Sequence, residues 1–228
     1  MRKKKLLKKS ASDYSNLIMP GTGLEINKGQ WNKIYTKNNP LWLEFGTGRG
    51  KYITEMAKLF PLKNFLGLDI KIDRLVKTAS KAQRENLPNL KLASLNYKWL
   101  SHFFDNNEAS GIIVNFPEPR IKARQAKWRF SHPANLMQII NVLGLNGELW
   151  LKTDDSEFFN WSFPFLDEVL EITFLSKDFK ESNPALITEY ESRWINEGKK
   201  SICLRGKVKK LSVDTQITKK SWKEELKK

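Results

Sequence analysis

The chain has 228 residues, a length typical of one α/β domain with short extensions. Its 40 Lys and Arg residues outnumber its 25 Asp and Glu residues, which gives a formal charge of +15. Folding does not need this excess, so the charge favours a polyanionic partner, first nucleic acid and second an acidic membrane surface. A lysine-rich surface that is merely well solvated is the alternative.

The cysteine and histidine content argues against a metal site. Cys203 is the only cysteine, which excludes an intrachain disulfide and a zinc site built from several thiolates. His102 and His132 are too far apart in the sequence to form a ligand pair. We therefore expect no bound metal.

No apolar run approaches the roughly 18 residues that a membrane span requires. The basic N-terminus, MRKKKLLKKS, has too few apolar residues to form the core of a signal peptide. These features predict a protein without membrane association that is located in the cytoplasm, with an organelle as the other intracellular option.

Strand and helix patterns alternate regularly after residue 30. Short apolar runs predict strands at 41–45, 64–70, 90–95, 111–116 and 147–153. Apolar residues at helical spacing predict helices at 52–60, 74–86, 132–143 and 156–170. This alternation predicts an α/β fold in which helices cover both faces of a parallel sheet. We expect the domain to span 31–206, between a basic N-terminal arm (1–30) that orders weakly or only on a partner and a basic C-terminal tail (207–228).

A glycine-rich turn follows the first predicted strand. Glu44 precedes Gly46, Gly48 and Gly50, and Asp69 ends the next strand. Such glycines allow a ligand to approach the backbone, and an acidic residue at the next strand end can bind a ribose diol. The spacing G-x-G-x-G departs from the dinucleotide fingerprint, and Glu44 would repel a pyrophosphate but attract the sulfonium of S-adenosylmethionine. We therefore favour S-adenosylmethionine over a dinucleotide, and a turn whose glycines serve only packing is the alternative.

Polar residues also follow the third and fourth predicted strands. Asn96 could read an adenine edge with its amide, or it could be an ordinary turn residue. Glu118 lies between Pro117 and Pro119, directly after the fourth strand. Ligands of open α/β sheets bind outside the carboxyl ends of the strands, so we expect Glu118 where a methyl donor meets its acceptor.

A basic loop, RIKARQAKWRF, occupies residues 120–130. Five cations within ten positions surround Trp128, namely Arg120, Lys122, Arg124, Lys127 and Arg129. Cations bind phosphates and an aromatic ring stacks on bases, so the loop predicts contacts with an RNA backbone. A solvated, positively charged loop is the alternative.

Two later segments hold acidic residues. The fifth strand ends before Asp154 and Asp155, again at the carboxyl edge of the sheet. The segment from Thr188 to Glu191 combines two carboxylates with an aromatic ring, although this pattern alone is more often a helix start capped by its threonine.

Together these motifs resemble the bacterial tRNA (guanine-N7)-methyltransferase family over nearly the whole chain. The matching stretches are GQWNKIY (29–35), NNPLWLEFGTGRG (38–50), FLGLDI (65–70), NFPEP (115–119), LKTDD (151–155) and ALITEYESRW (185–194). The resemblance implies a class I methyltransferase fold, which is Rossmann-like and has seven strands, mostly parallel with the last antiparallel. It also implies S-adenosylmethionine as methyl donor and a guanine of the tRNA variable loop as acceptor.

The resemblance also implies residue roles. Contacts with S-adenosylmethionine would come from Glu44, Asp69, Asn96 and Glu118. The guanine pocket would be lined by Lys122, Asp154, Thr188, Glu189, Tyr190 and Glu191. N7 of neutral guanine has a free lone pair, so we expect no general base; Glu118 and Asp154 would stabilise the positive charge that develops on the ring.

The chain departs from the family pattern in one region. The family usually has aspartate where this chain has Glu118, and Pro-Trp-Pro followed by Lys-Lys-Arg-His where this chain has PRIKARQ at 119–125. These departures leave open a slower enzyme, an enzyme with altered substrate choice, and a non-catalytic RNA-binding protein on the same fold. The stretch Asn-Phe-Pro-Glu (115–118) also leaves open methylation of an exocyclic or amide nitrogen, although the second adjacent proline and the following aromatic ring of such loops are missing. Monomer and homodimer are both open as well.

Overall fold

Eight strands form one sheet in the computed structural model, which describes residues 10–19, 21, 23–194 and 197–213. The strands are β1 (Ile18–Met19), β2 (Leu41–Phe45), β3 (Asn64–Leu68), β4 (Leu90–Ala93), β5 (Gly111–Asn115), β6 (Glu148–Thr153), β7 (Leu170–Phe179) and β8 (Ser201–Val208). The helices are α1 (Lys51–Leu59), α2 (Ile72–Arg84), α3 (Leu100–Phe103), α4 (Pro133–Leu143) and α5 (Ser156–Val169). The strand order is β1-β4-β3-β2-β5-β6-β8-β7.

The topology positions a crevice beside β2. Neighbouring strands from β1 to β6 in this order are parallel, whereas β8 is antiparallel to both β6 and β7. From β2, the chain adds β3 and β4 on one side of the sheet and then β5 and β6 on the other side. Ligands of such sheets bind outside the carboxyl ends of the strands where the direction of this order changes, here between β2 and β5. The predicted α/β fold is confirmed. The sheet described here has eight strands rather than seven because the short strand β1 pairs with the edge of β4.

The five strands predicted between residues 41 and 153 are present. The bounds of β2 are as predicted, and the other four are shorter by one or two residues. Strands β7 and β8 were not located in the sequence. They form by antiparallel pairing over long sequence distances. Most of β7 is exposed, and the residues 205–207 interrupt the apolar part of β8, so neither shows the apolar run of a buried parallel strand.

Apolar side chains on both faces of the sheet explain why the central strands were recognisable. On β2, Trp42 packs into the core on the side of α1 and α2, whereas Leu41, Leu43 and Phe45 pack into the core on the side of α4 and α5. A parallel strand that is buried on both faces reads as a continuous apolar run. Local composition therefore identifies such a strand without information from the rest of the chain.

The N-terminal segment differs from the prediction. Tyr14 is fully buried, Ile18 belongs to a sheet strand, and Leu24 is also buried. The expectation that the whole arm orders weakly or only on a partner is therefore wrong for the described part of 10–30, because apolar burial offsets the cost of ordering this segment. Residues 1–9 lie outside the described residues.

The C-terminal boundary also shifts. Strand β8 continues to Val208, two residues beyond the predicted end of the domain at 206. The next backbone amide, that of Lys209, donates a hydrogen bond of 2.9 Å to the carbonyl oxygen of Val169. The rest of the predicted tail, from residue 214 onward, lies outside the described residues.

Candidate active site

The turn between β2 and α1 adopts a conformation that requires its glycines. Gly46, Gly48 and Gly50 have φ values of +74°, +60° and +79°, a region that L side chains rarely adopt. A Cβ on Gly50 would lie 2.3 Å from Cγ2 of Thr78, whereas a Cβ on Gly46 would meet no atom within 4 Å. Gly50 thus allows α1 to pack closely against α2, and Gly46 borders open space at the carboxyl edge of the sheet.

Glu44 places a buried carboxylate behind this turn. Its Oε1 accepts a hydrogen bond of 3.1 Å from Nδ2 of Asn115, at the end of β5, and its Oε2 has no hydrogen-bond partner among the described residues. Burial raises the pKa of Glu44 to about 8; the bond from Asn115 opposes this rise, Asp69 adds to it and Lys152 opposes it. A buried oxygen without a partner is costly, and a cationic or hydrogen-bond-donating ligand would remove that cost.

Two cavities open along the carboxyl edge and share a wall. The first, here named the Glu44 cavity, has a volume of about 420 Å³ and extends from Glu44 to Tyr190. The second, the Asp69 cavity, has a volume of about 600 Å³ and contacts Asp69, Asn96 and Glu118. The residues that line both are Gly46, Arg74, Asn115 and Phe116. The structure thus brings the four predicted donor contacts together with the glycine turn.

Asp69 and Asn96 also support the backbone around their cavity. Oδ2 of Asp69 accepts a hydrogen bond of 3.0 Å from the Gly48 amide, and Oδ1 accepts one of 2.9 Å from the Lys71 amide. Oδ1 of Asn96 accepts a hydrogen bond of 3.1 Å from the Lys98 amide and caps a short 3-10 helix. Carboxylate and amide oxygens each carry two lone pairs, so these bonds leave capacity for a ligand.

The backbone is strained directly after β5. Phe116 and Arg120 have φ values of +49° and +54°, which cost a non-glycine residue on the order of 1–3 kcal/mol each. Between them, Glu118 is 67% exposed, and its Oε2 pairs with Nη2 of Arg120 at 2.8 Å. Strain of this kind persists where the surrounding fold imposes it, and here it turns the segment toward the Asp69 cavity.

The basic loop contains a short 3-10 helix at its centre. Lys122 and Arg124 are exposed, and the ammonium groups of Lys98 and Lys127 lie over the ring of Trp128. Cation–π contacts hold these lysines beside an exposed aromatic ring. The loop therefore presents both positive charge and a stacking surface to solvent.

Arg129 is an exception among the predicted backbone-binding cations. It is buried, and its guanidinium donates hydrogen bonds to the carbonyl oxygens of Pro119 at 3.0 Å and Arg120 at 3.2 Å. The guanidinium also lies 4.3 Å from the ring centroid of Trp161 on α5. The predicted contact of Arg129 with an RNA backbone is therefore wrong, because this side chain holds the loop against the domain.

The segment after β7 contains the predicted acceptor residues. Thr188 Oγ1 accepts a hydrogen bond of 3.0 Å from the Glu191 amide, and Glu191 Oε2 accepts one of 2.9 Å from the Thr188 amide. Glu191 is buried, 3.7 Å from Nζ of Lys152. Tyr190 donates its hydroxyl to Oδ2 of Asp154 at 2.8 Å. The cap stabilises the segment internally, and the Glu191–Lys152 pair and the Tyr190–Asp154 bond connect it to the end of β6.

The structure separates the predicted acceptor residues into two groups. Those that line the Glu44 cavity are Thr188, Glu189 and Tyr190. Those that line neither of the two cavities are Lys122, Asp154 and Glu191. Lys122 is exposed on the basic loop, Asp154 is connected to the cavity through Tyr190, and Glu191 is engaged by its cap and by Lys152.

Several residues complete the site although the sequence did not assign them roles. Asn115 orients Glu44, and Lys152 is buried at the end of β6, where it pairs with Glu181 at 2.8 Å. A polar residue at the end of an apolar strand was the available signal for both. Phe116 packs against Tyr190 with ring centroids 5.0 Å apart. No sequence signal indicated Phe116, because its position depends on a positive φ.

These cavities fit S-adenosylmethionine, the ligand that the motif resemblance implies. That ligand carries a sulfonium, an ammonium, a carboxylate, a ribose and an adenine. Glu44 offers a buried, unpartnered oxygen to a cation, and the space beside Gly46 leaves room for a ligand close to the backbone. Asp69 and Asn96 offer further acceptor capacity at the adjoining cavity. The residues present therefore match the cationic groups of the ligand in charge, and its ribose and adenine in hydrogen-bonding capacity.

Within the described ranges, no three His, Cys, Asp or Glu side chains form a group that could hold a metal ion. Among the helices of the same ranges, none combines the length and the apolar character needed to cross a membrane.

Comparison with known proteins identifies the family. Residues 38–204 match the family model described as "Putative methyltransferase". A tRNA (guanine-N(7)-)-methyltransferase of Geobacillus sp. (strain WCH70) is 35% identical over 201 residues, which cover 87% of this chain and 90% of that protein. One of Listeria monocytogenes serotype 4a (strain HCC23) is 34% identical over 174 residues, covering 75% and 81%. The crystal structure of the 16S rRNA methyltransferase KamB has the same fold, with a TM-score of 0.61 at 15% identity over 79% of this chain and 93% of that one. The chain belongs to the tRNA (guanine-N7)-methyltransferase family.

Proposed function

We propose that this protein transfers a methyl group from S-adenosylmethionine to N7 of a guanine in the tRNA variable loop. The observation that supports this most directly is the pair of adjoining cavities at the carboxyl edge of the sheet. One contains an unpartnered Glu44 oxygen and the other contains Asp69 and Asn96. The relatives that match most of the chain are named tRNA (guanine-N(7)-)-methyltransferase, and this name supports tRNA as the substrate and guanine N7 as the acceptor atom.

Residues on both sides of the shared wall would hold the donor. S-adenosylmethionine supplies a methyl group on a positively charged sulfonium. We assign Glu44 to the cationic part of the donor, and Asp69 and Asn96 to its ribose and adenine. The glycines of the turn, Gly46 and Gly48 above all, would keep the backbone open for this contact.

The acceptor side needs orientation more than proton transfer. N7 of neutral guanine carries a lone pair and no proton, so the residues have to position the base and stabilise the positive charge that develops on it. Tyr190 and Phe116 offer adjacent aromatic rings for a purine at the Glu44 cavity. We assign Glu118 and Asp154 to the stabilising negative field, Glu118 from the Asp69 cavity and Asp154 through its bond with Tyr190.

The basic loop would bind the tRNA backbone through its exposed cations, which are Lys122, Arg124 and Lys127, and through the half-buried Arg120. The formal charge of +15 supports this partner, because cations that displace counterions from phosphates drive RNA binding. We propose that the protein acts in the cytoplasm, where its tRNA is, as a monomer or a homodimer.

Incubation with methyl-labelled donor and unmodified tRNA, followed by nucleoside analysis, tests the proposal. We expect label in 7-methylguanosine. Label in a different nucleoside would show another methyltransferase activity. Absence of transfer and of donor uptake in calorimetry, with binding of tRNA retained, would indicate a non-catalytic RNA-binding protein.

A variant tests the role of Glu118. Glu118→Ala should lower the rate of methyl transfer about 100-fold, because a charge at the reacting centre is removed. The fold should be retained, since this side chain is exposed. Glu171→Ala is the matched control, an exposed carboxylate at the start of β7. Equal rates for the two variants would remove Glu118 from the site.

A further inference from the structure

Three cations on the α2 side of the Glu44 cavity are not used by the site described above. Arg49 belongs to the glycine turn, Lys77 to α2, and Arg193 follows Tyr190 by three residues. All three are exposed, and all three line the cavity. Their side chains form no ion pair with any residue in the described part of the chain. We refer to Arg49, Lys77 and Arg193 as the cationic rim.

Local contacts hold the three segments of the rim side by side. Thr78, the neighbour of Lys77, donates a hydrogen bond of 3.3 Å from Oγ1 to the carbonyl oxygen of Gly48, next to Arg49. One turn further along α2, Nζ of Lys81 pairs with Oε1 of Glu189 at 2.6 Å. Glu189 lies four residues before Arg193. The glycine turn, α2 and the segment after β7 are therefore joined directly beneath the rim.

The acidic residues nearby do not neutralise the rim. Glu189 is already engaged by Lys81, and Asp69 interacts with Arg74 at 3.6 Å. Asp73 also lines the cavity and forms no ion pair with a described residue. The cations that line this cavity thus outnumber the acids, so the mouth of the cavity carries a positive charge that favours an anion.

The opposite side of the site carries its own positive charge. There, Arg120 is paired with Glu118, while Lys122 and Arg124 are exposed without an ion pair among the described residues. A polyanionic strand whose base enters the Glu44 cavity would pass between the two sides. Positive charge on both sides can contact phosphates on both sides of that base.

We propose that the cationic rim binds the RNA backbone beside the target nucleotide, on the side opposite the basic loop. This inference rests on the proposed function, because it assumes that the base enters the Glu44 cavity. The rim residues come from segments outside the basic loop, so sequence clustering of cations does not indicate them. Each would act through a phosphate contact that is independent of base sequence.

The salt dependence of tRNA binding measures such contacts. We compare the full-length wild type with the double variant Lys77→Ala/Arg193→Ala by titrating unmodified tRNA at several salt concentrations. Each lost phosphate contact lowers the slope of log Kd against log salt concentration by about 0.7–0.9, so the double variant should lose about 1.4–1.8. The matched control is Lys37→Ala/Lys207→Ala. It removes two exposed lysines at the amino edge of the sheet, before β2 and opposite Glu148, and should retain the wild-type slope.

Donor affinity, measured by calorimetry with S-adenosylmethionine, completes the test. The rim variant should bind the donor as the wild type does, which also shows that its fold is intact. An unchanged slope, or a loss of donor affinity as large as the loss of tRNA affinity, would overturn the inference. Failure of the wild type to form 7-methylguanosine would reject the proposed function instead, and the two failures are therefore distinguishable.

Discussion

The buried carboxylate of Glu44 should make the stability of the protein depend on pH in a specific window. Burial raises its pKa from the ordinary value of 4.5 to about 8. Between these two pH values the folded protein keeps a proton that the unfolded chain has lost. The free energy of unfolding of the wild type should therefore fall as the pH rises through this window, and this contribution should be level below 4.5 and above 8.

Glu44→Gln removes the titration and leaves a side chain of similar shape that can still accept the Asn115 hydrogen bond. A difference of one proton changes the free energy of unfolding by about 1.4 kcal/mol per pH unit. Over the window the variant should therefore gain up to about 5 kcal/mol relative to the wild type. At each pH, the difference in the free energy of unfolding between variant and wild type is compared with the same difference at pH 4.5. Any effect of the substitution that does not depend on pH therefore cancels.

Urea unfolding of both proteins at pH 4.5 and at one-unit steps from pH 5 to pH 8 measures this difference. Glu171→Gln is the control, because it makes the same substitution at an exposed carboxylate. A difference between Glu44→Gln and the wild type that is constant over this range would refute the reasoning. Such a result would mean that Glu44 is ionised in the folded protein at neutral pH. The fold would then stabilise the negative charge of this buried carboxylate.

Further substitutions test packing around the site by urea unfolding. Gly50→Ala should lower the free energy of unfolding by about 2–4 kcal/mol, because the new Cβ clashes with Thr78 and the φ of residue 50 is positive. Adding Thr78→Ala should recover only the part of this loss that the clash causes. Recovery of the whole loss would refute the role of φ. Tyr14→Ala should cost about 3–5 kcal/mol, because the ring is fully buried in the core. A change below about 1 kcal/mol would contradict this packing. Thr188→Ala should cost about 1 kcal/mol through loss of the cap to Glu191; no loss would show that the cap does not stabilise the segment.

The central strands and the ends where ligands bind could be predicted from local sequence. Strand β2 is an apolar run that is buried on both faces and followed by glycines, so its neighbours in the chain already identify it. The carboxyl ends of parallel strands meet at one edge, and therefore Glu44, Asp69 and Asn96 could be grouped before their positions were known. These predictions depend on periodicity and on the common direction of the strands.

Other features were decided by contacts between distant segments. Arg124 and Arg129 are both arginines of the basic loop, yet Arg124 is exposed whereas Arg129 packs on Trp161 and is buried. Strand β8 exists because it can pair with both β6 and β7, and Tyr14 is ordered because the core near α2 accepts its ring. Burial and pairing are properties of two surfaces that meet, and a local stretch of sequence contains only one of them.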